Sequence, residues 1–310
     1  MDNSSCPRCL YYNMKHKITM SFLILGLFII TQFIGLYVLL SNSLPDYLNS
    51  SIGQAGESYG YYFYQLISAF IISIMLFVLI TKYKLKIFMR AWFFLVVAIA
   101  LSISIAAIMN SVFNFNNYVI ALAIGGTLSI LKILRPSVLI HNGTELLIYP
   151  GIAAIFVPIL NVFYVMALLI LISIYDIWAV WHSGLMQKMA KFQIDELKIF
   201  GGLFIPYLNR QIKQKIIAAR KSRNNKRLKR LKVSFAILGG GDIVFPLITA
   251  GIFLNNYGFS SAISIIFGAF VGLAGLLFFS EKKKCYPAMP FITAGIFAGI
   301  AVWFGIKFLI

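Results

Sequence analysis

The sequence predicts an all-α polytopic membrane protein of nine transmembrane helices, with the N-terminus in the cytoplasm and the C-terminus outside. Three observations lead there. Of its 310 residues 60% are hydrophobic and the mean hydropathy is +0.88, which leaves too little polar surface for a soluble chain of this length. Apolar runs long enough to span a bilayer, or nearly so, recur nine times. Lysine and arginine are confined to every second connecting segment, the bias that fixes membrane orientation.

The runs are 18–40, 61–81, 91–109, 118–131, 146–160, 162–181, 233–253, 260–280 and 287–310, the fourth and fifth being short. Of the 27 Lys and Arg residues, 3 precede the first run, 4 lie in 82–90, 2 in 132–145, 14 in 182–232 and 3 in 281–286. Lys307 is the one left over, and segments 41–60, 110–117 and 254–259 hold none. Eight or ten spans would put basic loops on both sides. The net charge of +18 is therefore mainly a topology signal, and nucleic acid is not an expected partner. The first run lacks a small-residue cleavage site and reads as a span rather than a leader. A single membrane-embedded domain then covers 1–310, with spans one to six in 18–181, a basic cytoplasmic loop over 182–232, and spans seven to nine in 233–310. The basic end of that loop, 210–232, reads as a headgroup contact that includes a short interfacial helix. The apolar island 201–206 is too short to span and reads as a dip into the interface.

Nine residues are acidic, and only Asp176 and Asp242 fall within the proposed spans. A charge at that depth is costly and implies a function. Asp176 is late in the sixth span and Asp242 early in the seventh. At 1.5 Å rise per residue they lie roughly 8 and 14 Å from the cytoplasmic edge, level within the error of the span ends. Asp242 follows Gly239, Gly240 and Gly241. Without Cβ atoms, Gly239 and Gly241 would let a neighbouring backbone approach the carboxylate. Two buried carboxylates about 3 Å apart share one proton. Such a pair activates water, the ionised member taking its proton and the other donating to an amide carbonyl. No metal or other cofactor is expected. His16 and His182 sit at span ends and His141 in a loop, so none is placed as a base. Cys6 and Cys9 have the spacing of half a zinc site with no second pair. The ninth span opens with Pro287, Ala288, Met289 and Pro290. These residues read either as a proline-initiated helix start or as a strand-like edge near the carboxylates that an unwound peptide could pair with.

Tyr175-Asp176, Gly239-Gly240-Gly241-Asp242 and Pro287-Ala288-Met289-Pro290, on spans six, seven and nine, resemble the YD, GxGD and PAL motifs of the presenilin and signal peptide peptidase family of intramembrane aspartyl proteases. The orientation and Pro290 resemble the presenilin form, and the small size and basic loops suggest a microbial, archaeal homologue in a prokaryotic cell membrane. The resemblance implies that Asp176 and Asp242 are the catalytic dyad and that Gly239 and Gly241 allow the approach to Asp242. It implies that Tyr175 packs beside the dyad, and that Pro287, Ala288 and Met289, with Pro290, shape the site and seat the substrate. Met289 departs from the family's Leu, a nearly volume-conserving change. The implied partners are membrane lipid and transmembrane-helix peptides cut toward the cytoplasmic side, and a homo-oligomer is left open. The competing readings are a prepilin-peptidase-like leader peptidase, and a proton- or ion-coupled transporter or leak channel using the same two carboxylates.

Overall fold

The computed structural model of the chain describes residues 18–41, 59–83, 86–113, 117–134, 137–183, 201–207, 234–279 and 286–309. The Cys6 and Cys9 pair, His16 and the basic stretch 210–232 lie outside the described residues. Nine helices are described, one for each apolar run: α1 Ile18–Leu40, α2 Tyr59–Tyr83, α3 Lys86–Phe113, α4 Tyr118–Leu134, α5 Val138–Phe156, α6 Val162–Trp178, α7 Gly241–Tyr257, α8 Phe259–Phe279 and α9 Met289–Leu309. Six of them, α1, α3, α5, α6, α8 and α9, are by length and composition able to cross a membrane. A π-helical turn, Ala179–Ser183, continues α6.

Local chemistry sets several helix starts. Ser137 accepts a hydrogen bond from Ile140 N before α5, Asn161 from Tyr164 N before α6, and Asn117 from Val119 N and Ile120 N before α4. Gly258, at φ 90°, ends α7 in a backbone conformation that disfavours a side chain.

Two departures from the sequence reading bear on the site. The seventh apolar run is not one helix. Its first residues form a strand, β2 (Ser234–Gly239), and only from Gly241 is it helical. The island 201–206 is regular structure rather than loop. It is a strand, β1 (Gly202–Tyr207), antiparallel to β2 with Gly202 opposite Gly239 and Tyr207 opposite Ser234. Leu203 and Ile205 are buried in the main core.

Helix α7 is the centre of the bundle. Every residue from Ile243 to Leu254 except Phe245 is buried, so its apolar surface runs all round, as an interior helix requires. It packs against α1, α5, α6, α8 and α9. Helices α8 and α9 meet backbone to backbone. Gly268 and Gly272 face Gly295, Phe291 and Gly299, and Ser264 Oγ donates to Gly299 O at 2.7 Å. This is the close approach that small residues four apart permit.

The charge count also changes. Glu145 is not a loop residue but lies inside α5, and Lys132 lies inside α4. They form an ion pair at 2.5 Å with 2% and 6% exposure respectively. Glu145 therefore joins Asp176 and Asp242 as a carboxylate within an apolar helix.

Candidate active site

Three helix ends converge. Ser173 and Asp176 of α6 bond Thr293 and Met289 of α9, in reversed order along the two helices, so the helices are antiparallel. Helix α8 is antiparallel to α9 by the order of its glycine contacts. The tight connection at Gly258, where Ser261 Oγ reaches back to Phe253 O at 3.0 Å, turns α7 against α8. Helices α7 and α9 consequently run the same way and α6 runs opposite. The C-terminal end of α6, bearing Asp176, and the starts of α7, bearing Asp242, and of α9, bearing Met289, share one end of the bundle.

Asp176 is two residues from the end of α6 and 7% exposed. Its Oδ2 accepts the Met289 N–H at 3.1 Å. That N–H is one of the donors a helix start leaves without an intrahelical acceptor, and Asp176 takes it. One turn deeper, Ser173 Oγ donates to Thr293 Oγ1 at 2.8 Å, so α6 and α9 are pinned twice. Pro287, Ala288 and Met289 are buried and Pro290 half-buried. Residues 286–288 are irregular and α9 begins at Met289 with Pro290 in its first turn, so this segment is a helix start and not a strand. Tyr175 is half-buried, its ring 6.3 Å from that of Trp178.

Asp242 is half-buried in the first turn of α7. The glycines make the switch from β2 into α7, and none of the three adopts a positive φ. What they provide is clearance. A Cβ on Gly239 would lie 3.0 Å from Asp242 Oδ2. One on Gly240 would lie 3.0 Å from Tyr149 Cε1 and 3.2 Å from Tyr149 Oη. One on Gly241 would meet only Phe245, at an ordinary 3.5 Å. The clearance expected at Gly241 thus belongs to Gly240.

The hairpin before Asp242 has two unlike edges. Phe204 donates its N–H to Asn142 Oδ1 at 2.9 Å and accepts from Asn142 Nδ2 at 2.7 Å. Its backbone groups therefore face away from β2, and by the two-residue period those of Gly202 and Pro206 do too. Gly202 O is 2.7 Å from His141 Nε2, and Pro206 has no N–H to offer. The outer edge of β1 is sealed. On β2 the outward backbone groups are those of residues 235, 237 and 239, and among the described residues β2 pairs with β1 alone. That open edge ends three residues before Asp242.

Sequence reasoning missed three neighbours. Gln32 of α1, fully buried, donates Nε2 to Ile243 O at 2.9 Å beside Asp242. Tyr149 of α5 packs on Gly240, and Glu145 lies one turn from it. The intramembrane glutamine and the lysine–glutamate pair are the available signals, although in sequence the pair reads as loop. Among the described residues no three of His, Cys, Asp and Glu come together as a metal-ligand set.

The family described as "Signal-peptide peptidase, presenilin aspartyl protease" matches residues 25–307. Two solved structures of a presenilin family intramembrane aspartate protease, in C222 and P2 space groups, are similar in fold. The first has a TM-score of 0.59 at 16% identity, covering 92% of this chain and 99% of the other. The second has a TM-score of 0.57 at 16% identity, covering 95% and 99%. No curated protein matches the chain in sequence.

Proposed function

Since the chain belongs to the signal-peptide peptidase and presenilin aspartyl protease family, and is an intramembrane aspartic endopeptidase on that ground, we propose that Asp176 and Asp242 are its catalytic dyad. The observation that carries this reading is the Asp176 carboxylate, buried and held by the Met289 N–H at the end of the bundle where Asp242 opens α7. The two carboxylates share one proton. The ionised one takes a proton from a water molecule, whose oxygen attacks the scissile carbonyl carbon. The protonated one donates to the carbonyl oxygen. The tetrahedral intermediate collapses, the C–N bond breaks, and the amine leaves with a proton from the carboxyl group that received it.

The substrate is a single transmembrane helix that unwinds locally. Within lipid, an unpaired strand edge has to be hydrated or paired. The open edge of β2 offers backbone partners to an extended peptide, and its end beside Asp242 sets which amide meets the dyad. The sealed edge of β1 leaves the peptide one side to choose. With the alternating basic loops, the N-terminus lies in the cytoplasm and cleavage falls toward the cytoplasmic face of a prokaryotic cell membrane.

A substrate comparison tests this. Purified protein in detergent receives a reporter span containing a glycine or proline break, the same span without it, and a soluble-flanked leader peptide. Preferential cutting inside the broken span is expected, with the cut site read by mass spectrometry. Preference for the leader peptide would replace this reading with a leader peptidase.

A further inference from the structure

Tyr149 is 3% exposed; its hydroxyl meets no described residue in full hydrogen-bond geometry, and the carboxylate that bears on it most is Glu145, one turn before it. A phenylalanine would fill the same space without that cost, since a buried polar group left unpaired is unfavourable. One turn before it on the same face of α5, Glu145 is held in a buried ion pair by Lys132 of α4, with His141 Nε2 3.7 Å away. Such a pair inside a membrane bundle is likewise costly to bury and is a mark of function there. The stripe His141, Glu145, Tyr149 therefore runs from Gly202 of the hairpin to Gly240 at the start of α7. Its end is the hydroxyl, against the glycine two residues before Asp242.

We propose that Tyr149 is a positioning residue of the site, whose hydroxyl donates to the Asp242 carboxylate when the dyad holds its water and substrate. This rests on the dyad reading above. The hydroxyl has one hydrogen, and two carboxylates act on it: Glu145, the stronger and within reach of a hydrogen bond, and Asp242, the weaker. Glu145 Oε1 already receives the Lys132 ammonium. Asp242 is the one whose orientation decides catalysis, and a Cβ-free Gly240 lets the ring lie close to the turn that carries it. The ion pair behind the ring fixes Glu145, so the hydroxyl has a constant neighbour on one side and a working one on the other.

The test is Tyr149→Phe in the full chain, with wild type and Asp242→Asn alongside. Loss of one hydrogen bond to a charged group made during the reaction lowers kcat by about ten- to a hundredfold, with KM within about twofold. The melting temperature stays level or rises, because an unpaired hydroxyl has been removed. Inhibition by a hydroxyethylene peptide isostere weakens by the same factor as kcat/KM, as expected of an interaction made in the transition state. Wild-type kcat in Tyr149→Phe overturns the proposal. So does a parallel loss of kcat, substrate affinity and melting temperature, which would make the hydroxyl merely structural. Retained cleavage in Asp242→Asn, or none in wild type, overturns the dyad reading and this proposal with it.

Discussion

Replacing Gly272 by alanine reaches the site without touching it. Gly272 lies on α8, where a Cβ would overlap Phe291 O and stand 3.1 Å from Phe291 C and 3.2 Å from Ile292 Cα. Carbon atoms rest comfortably at about 3.5–4.0 Å, so the first turn of α9 has to retreat by roughly 0.5 Å or more. The obstacle is backbone and cannot rotate away. Met289 is in that turn, and its N–H holds Asp176 at 3.1 Å. Hydrogen bonds fade by about 3.6 Å, so the retreat is comparable to the whole margin. Overpacking costs about 1–3 kcal/mol of stability. Losing a hydrogen bond to a charged group removes about 1.5–3 kcal/mol, worth roughly ten- to a hundredfold in rate where it acts on the reaction. The assay is cleavage of a reporter span in detergent, with thermal unfolding measured on the same preparation. Gly275→Ala on the same helix is the control, because nothing lies within 4 Å of its Cβ. Equal activity in the two variants would refute the coupling of α8 packing to Asp176.

Three further outcomes follow from the same contacts. Gly239→Ala should cut activity by about two- to tenfold, since a Cβ 3.0 Å from Asp242 Oδ2 forces the carboxylate off its rotamer at about 0.5–1.5 kcal/mol, while Gly241→Ala stays near wild type in the same cleavage assay. Lys132→Ala should lower stability by about 3–5 kcal/mol by stranding the Glu145 charge, and Lys132→Met with Glu145→Gln should recover most of it in a thermal melt. Asn142→Ala removes two hydrogen bonds to Phe204, destabilises by about 1–3 kcal/mol, and opens the β1 edge, so cut sites should scatter in mass spectra of the products.

Much of the bundle was legible because bilayer thickness and charge bias act on composition. Each apolar run contains a helix, and α1 runs over the same residues as its run. Asp176 and Asp242 stood out because a carboxylate in such a run has no bland reason to be there. The hairpin was not legible. Residues 235–238 continue without a break into the apolar run of α7, and a short apolar strand has no period that separates it from buried helix. Its partner is some thirty residues earlier, so the pairing that makes both segments strands is tertiary. The strand edge sought at Pro287 to Pro290 is found on β2 instead. Glu145 and Lys132 look like loop residues one at a time, because their burial depends on their meeting across two helices. Tyr149 carried no signal, since one tyrosine in a span is ordinary and only the hairpin's return brings Gly240 beside it.

The most direct measurement is cleavage of a broken reporter span by wild type, Asp176→Asn and Asp242→Asn, each purified in detergent and shown by melting temperature to be folded. The account predicts cutting by wild type and none above background by either folded variant. Continued cutting by a folded Asp176→Asn or Asp242→Asn protein would contradict it.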